Sequence, residues 1–202
     1  MSAVLNRRFA LMRGASIYWE TIAKGMIDFT TEFSVPEEAF GTRTNIAERT
    51  FWGRANMKEV EIPPTITSIG GSAFSGSGLV NVVLPSSITS LGSELFRGCN
   101  SLETCVFECA ITSLPNFCFY SCTKLKNLDL PSSITSIGAS SIRSNNVLQY
   151  VIVRSTTPPT LGANCFDFTN NCPIYVPDDS VATYKTSWSS LASRIFPLSS
   201  KT

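Results

Sequence analysis

The side chains with the most evident chemical potential in this 202-residue chain are seven cysteines: Cys99, Cys105, Cys109, Cys118, Cys122, Cys165 and Cys172. Cys105-x3-Cys109 and Cys118-x3-Cys122, taken with Cys99, have a spacing that a thiolate metal site would use. Paired carboxylates are the next candidates: Glu37 with Glu38, Glu59 with Glu61, and Asp178 with Asp179. A general acid needs a carboxyl group whose pKa is raised by a buried pocket. These pairs fall on a turn, on outward strand positions and at a helix start, so no catalytic role is assigned to them. The stretch GGSAFSGSG at 70–78 has the glycines of a phosphate-cradling loop but lacks its GK[ST] ending. Histidine is absent, which excludes Ser-His-Asp and Cys-His nucleophiles, His-ligated zinc and an imidazole pH switch. With 16 basic against 15 acidic residues the chain also lacks the cationic excess of a nucleic-acid surface. The expectation is a protein without catalytic residues, cofactor or metal.

What must position these residues is a repeat. ITSIGGSAF at 66–74, ITSLGSELF at 88–96, ITSLPNFCF at 111–119 and ITSIGASSI at 134–142 start 22 or 23 residues apart. Further units align at Ile46 to Phe51 and Leu161 to Phe166, with a fragment at Val35 to Phe40, so about six coils fill 35–177. Each apolar position forms a column of like residues. One runs Ile46, Ile69, Leu91, Leu114, Ile137, Leu161, and another Phe51, Phe74, Phe96, Phe119, Ile142, Phe166. Three more, beginning at Met57, Val60 and Ile62, spell L-x-x-V-x-L. The final spacing of two is the strand period, so one face points inward and its neighbours outward. Strands contributed once per coil in one direction predict a parallel ladder growing by about 4.8 Å per coil. Pro63, Pro85 and Pro131 end the strands. From Gly70, Gly92, Gly138 and Gly162 to the Phe column, a short helical or bent segment is expected.

The period absorbs most of the cysteines. Cys99 and Cys122 share a unit position that Asn145 fills in the next coil, Cys105 stands in an inward strand column, and Cys118 and Cys165 both precede the Phe column. They read as structural thiols. A Cys99–Cys122 disulfide remains an alternative, because neighbouring coils bring backbones to about 5 Å, and so does zinc. The outward strand columns carry the candidate binding residues Asn81, Val83, Thr104, Val106, Asn127, Asp129, Tyr150 and Ile152. An exposed apolar stripe edged by polar groups suits a protein or glycan partner; the bland alternative is β-branched residues that merely favour strands.

The signature I-T-S-I-G-x-x-A-F-x-x-C-x-x-L-x-x-V-x-L-P, nearly complete at 66–85, 88–107 and 111–131 and looser at 134–153, resembles the BspA-like leucine-rich repeats of bacterial surface antigens. The stretch 157–198 is similar to that family's terminal unit. The resemblance implies a leucine-rich-repeat solenoid of 22–24-residue coils with short helical segments and a C-terminal helical cap. It implies binding or adhesion and carries no catalytic residue onto these positions. One structural domain is expected: 1–34 as an N-terminal cap or anchoring segment, 35–177 as the solenoid and 178–202 as the helical cap. Asp178, Asp179 or Ser180 should cap a helix over about 179–193, with Val181, Tyr184, Trp188 and Leu191 laid on the last coil. The expected function is a non-enzymatic recognition or adhesion module whose strand face binds a host or surface protein or a glycan. The alternative is a structural subunit of a phage particle, or a homo-oligomer, anchored by its N-terminal segment, where Arg7, Arg8, Arg13 and Lys24 outweigh Glu20. The sequence shows no signal peptide and no membrane span. The expected location is the cytoplasm, or a virion for a phage protein, with the cell surface only if a leader has been removed.

Overall fold

A computed structural model describes residues 32–201; the anchoring segment expected at the N-terminus lies almost wholly outside them. Within them the chain runs as stacked coils, the first six of which contribute one strand to each of two parallel series, while the last two long strands have no short counterpart. The long series is β1 (Phe33–Val35), β3 (Met57–Val60), β5 (Asn81–Leu84), β7 (Thr104–Phe107), β9 (Asn127–Leu130), β11 (Tyr150–Val153), β13 (Ile174–Val176) and β14 (Ile195–Pro197). The short series is β2 (Asn45–Ile46), β4 (Ser68–Ile69), β6 (Ser90–Leu91), β8 (Ser113–Leu114), β10 (Ser136–Ile137) and β12 (Thr160–Leu161). Every pairing is parallel. Where the regular ladder lapses between β3 and β5 or β7 and β9, single bonds carry the stack across, from Val80 N–H to the Lys58 carbonyl and from Lys126 N–H to that of Glu103, each 3.1 Å. The irregular 35–56 stretch completes a coil, since Phe40, Ile46 and Phe51 are buried and β2 pairs with β4.

Inside lies one apolar core whose columns are those of the repeat. Phe51, Phe74, Phe96 and Phe119 stack ring on ring with centroids 5.4, 5.6 and 5.4 Å apart and planes within 17° of parallel. Offset stacking at this distance follows from the coil spacing, which places equivalent rings one above another. The hydroxyl-rich turns bind coil to coil. Thr67, Thr89 and Thr135 each donate a side-chain hydrogen bond to the carbonyl of the threonine one coil earlier, Thr44, Thr67 and Thr112, and Ser87 and Ser133 donate to Ile66 and Ile111. The Ser and Thr of the I-T-S and P-S-S segments therefore satisfy backbone carbonyls at the coil edges.

One expectation is narrowed and another corrected. Of the helical and bent forms expected from Gly70, or its equivalents, to the Phe column, the chain takes the bent one, a run of turns. Its second residue after the glycine is left-handed in coil after coil, as at Ser72 (φ 54°), Glu94 (60°), Phe117 (55°), Ser140 (52°) and Asn164 (59°). Alternate N–H groups of this run donate to the following coil, for example Glu94 to Asn116, Phe96 to Cys118 and Gly98 to Tyr120. A helix would turn those groups inward onto its own carbonyls and lose the stacking bonds. The correction concerns the C-terminal cap, where the α-helix spans only Val181–Ser187, between 3-10 turns at Asp178–Ser180 and Ser189–Arg194. No side chain caps it; Asp178 instead accepts the Ser199 N–H at 3.0 Å, which holds its carboxyl below the usual range. The chain then adds β14, parallel to β13. Tyr184 and Trp188 do lie on the last coil, buried, with the phenol donating to the Ser155 carbonyl and the indole to that of Pro159.

Candidate binding face

Among the described residues the thiols lie inside the core and the paired carboxylates of the sequence do not gather with them. All seven cysteines are free and buried, and among the described residues no three His, Cys, Asp or Glu side chains gather as a metal site would need. Cys99 and Cys122 do not point at each other: each thiol donates to the carbonyl of a Phe-column residue, Phe74 and Phe96, at 3.0 Å. Asn145 continues that ladder by donating to the Phe119 carbonyl at 2.9 Å. Burial pushes the Cys99 thiol from its ordinary 9.0 up to about 11 and Cys165 up to about 12, so neither is a nucleophile at neutral pH.

The strand face is where side chains are displayed in order. The even spacing of β5, β7, β9 and β11 turns alternate residues outward. In register, the central outward column runs Val83 beside Val106, then Asp129, Ile152, Tyr175 and Phe196. Val83 and Val106 are 45% and 48% exposed. Ile152 corrects the sequence reading: it is only 6% exposed, lying in register between Tyr175 and Asp129, whose carboxylate is bridged to Arg154. That bridge is bidentate, both N–O distances 2.7 Å, and it raises the arginine pKa.

The polar groups alongside are likewise engaged with one another. Thr104 donates to Asn81 Oδ1 at 2.6 Å, and Lys126 pairs with Glu103, whose carboxyl it holds below the usual range. Asn127 sits half-buried on β9, beside Tyr150 in register. Tyr150 meets Tyr175 edge-to-face at 6.1 Å and carries the Lys201 ammonium 4.2 Å above its ring. Tyr175 and Phe196, 6.3 Å apart, extend the row and were not among the residues singled out from sequence. The signal for Tyr175 is the alternating I-Y-V; Phe196 lies in the 178–202 cap segment, past the helix expected over about 179–193, where no strand is expected.

The scan against family models matches six copies of the BspA type leucine rich repeat region over residues 44–173. The chain belongs to the BspA-type leucine-rich repeat family. Among solved structures it is similar to a leucine-rich repeat protein from Eubacterium ventriosum, at 19% identity and a TM-score of 0.50, over 63% of this chain and 43% of that one. A leucine-rich repeat protein from Bacteroides ovatus matches at 18% identity and 0.45, over 82% and 54%. A leucine rich cell surface protein from Faecalibacterium prausnitzii matches at 17% identity and 0.44, over 71% and 59%. The chain thus spans about half the length of these relatives. No curated protein matches it. The BspA-type repeat accounts for the strand face as a regular display surface. Of the aromatic row at its end, Tyr150 lies within the matched copies, while Tyr175 and Phe196 come from β13 and β14 beyond them.

Proposed function

We propose that this BspA-type repeat chain is a non-enzymatic recognition or adhesion module that engages a protein partner across its strand face. The observation that carries the reading is the central outward column, where Val83, Val106, Tyr175 and Phe196 are displayed around the buried Ile152 and around Asp129, whose charge Arg154 neutralises. Lateral pairing of Asn81, Thr104, Glu103, Lys126 and Asp129 lowers the desolvation cost of covering them. An exposed apolar stripe with a satisfied polar margin has the anatomy of an interface core and rim. Eight long-series strands at about 4.8 Å, each presenting about 13 Å, offer a projected face of roughly 34 by 13 Å. That is about half the ~800 Å² per partner of a standard complex, so an interface confined to the face is of the transient class.

The test is a panel of purified surface proteins, with the wild-type chain compared with the double variant Val83→Lys, Val106→Lys. Both sites are solvent-facing, so stability should change by no more than about 0.5 kcal/mol each, while affinity for any captured partner falls at least about tenfold. Unchanged affinity in a folded double variant removes the stripe from the interface.

A further inference from the structure

At the cap end of the strand face lies an open depression of about 730 Å³, lined by Asn171, Tyr175, Ser193, Arg194, Phe196 and Ser200. Three features stand together there. Aromatic rings form one wall, Tyr175 half-buried and Phe196 42% exposed, and Tyr150 continues the row. Hydroxyls and an amide, on Ser193, Ser200 and Asn171, are exposed around it. The third feature is cationic. Arg194 is half-buried, its guanidinium donating to the Cys172 carbonyl at 3.0 Å, the Cys172 Sγ at 3.2 Å and the Thr169 hydroxyl at 2.9 Å and lying 5.6 Å over the Phe166 ring, all of them uncharged partners. Among the described residues no carboxylate pairs with Arg194 or with Lys201, in contrast to the laterally paired charges of the rest of the face.

We propose that this depression binds a carboxylate-bearing sugar, a sialic or uronic acid unit. The C–H face of a pyranose packs on an aromatic ring, its hydroxyls exchange hydrogen bonds with serine and amide groups, and its carboxylate answers the uncompensated guanidinium. A protein partner is disfavoured at this spot because serine is depleted from protein interfaces, and a neutral sugar leaves the cation unanswered. The site rests on the strand-face reading in that Tyr175 and Phe196 line the depression and also end the outward column.

The experiment is saturation-transfer NMR and calorimetry on the full chain with sialyllactose, a hyaluronan tetrasaccharide, lactose as the neutral control and tetraglutamate as an acidic peptide control. One acidic sugar is expected to bind at least about tenfold tighter than lactose, with the advantage shrinking as salt rises from roughly 50 to 200 mM. The two acidic arms distinguish a sialic from a uronic source. Phe196→Ala and Arg194→Gln should each weaken that binding about tenfold or more. Phe196 is surface-exposed, so its variant keeps the test valid should Arg194→Gln loosen the Cys172 and Thr169 contacts. Val83→Lys with Val106→Lys should leave sugar binding unchanged, which separates failure here from failure of the stripe. The proposal is overturned by equal affinity for lactose and both acids, by tetraglutamate binding as tightly, by no transfer up to roughly 10 mM, or by unaltered binding in folded Phe196→Ala.

Discussion

Gly92 and Gly98 sit six residues apart and are glycine for different reasons. A Cβ on Gly92 would meet the Gly71 backbone nitrogen of the previous coil at 2.2 Å, and one on Gly162 would meet that of Ala139 at the same distance. Gly98 has φ +68° and open space around its missing Cβ, and Ser121 and Ser144 hold the equivalent left-handed position in later coils. Gly92→Ala should therefore cost about 3 kcal/mol or more, since backbone rather than a side chain must give way, while Gly98→Ala should cost only about 1 kcal/mol. Urea midpoints of the two variants check the contrast. The cysteines supply a prediction in pH. The folded Cys99 and Cys165 thiols titrate near 11 and 12 against an ordinary 9.0. Above pH 9 the unfolded chain releases protons that the folded chain keeps, so this contribution is fully present below 9 and is lost as pH rises toward 11 and 12. Denaturant midpoints should fall over that window. Cys99→Ser should flatten the fall, and a thiol reagent should find no fast-reacting group in the native protein at pH 8.

The unit of cohesion between elements is the coil-to-coil contact, and the phenylalanine stack is its apolar half. Phe96 touches a ring on either side, Phe74 at 5.6 Å and Phe119 at 5.4 Å. Phe96→Ala removes both contacts and leaves a cavity that the flanking ladders hold open, so a loss of about 3–5 kcal/mol is expected. Phe96→Leu should recover more than half of it. Ile142 interrupts the stack naturally, and its backbone nitrogen still donates to the Cys165 carbonyl at 3.2 Å. The left-handed turn ladder therefore persists without the aromatic ring, which is why one aliphatic substitution leaves the coil in place. Calorimetry of Phe96→Ala and Phe96→Leu tests this division of labour.

Over the whole molecule, stability is close to a sum of coil terms and neighbour terms, with the open end closed by the cap. Residues 181–197 do this in two ways. Tyr184 and Trp188, edge-to-face at 4.9 Å, cover the last coil, and β14 extends the sheet with Pro197 on its edge, where a proline blocks further pairing. Trp188→Ala removes the buried ring and the indole bond to Pro159, so a loss of about 3–5 kcal/mol is expected. It should fall first on β11, β13 and β14, leaving the amides of β5 and β7 protected in native-state hydrogen exchange. Uniform loss of protection across all strands would show instead that the stack melts as one cooperative unit.

The period of 22 or 23, the inward columns, the parallel strand direction and the structural reading of the cysteines were legible because a repeat places each residue beside copies of itself. A column in the sequence is then a column in space. Val83, Val106, Asn81, Thr104, Asn127, Asp129 and Tyr150 were found on the strand face for that reason. What the tertiary structure decided is whatever depends on unlike residues meeting. The glycines answer to the backbone of the coil beneath, the turn runs answer to bonds between coils rather than to helix propensity, and Ile152 is buried between the Tyr175 ring and the Asp129–Arg154 bridge. The cap's last strand and the meeting of Arg194, Tyr175 and Phe196 come from non-repeating residues, whose partners no period predicts.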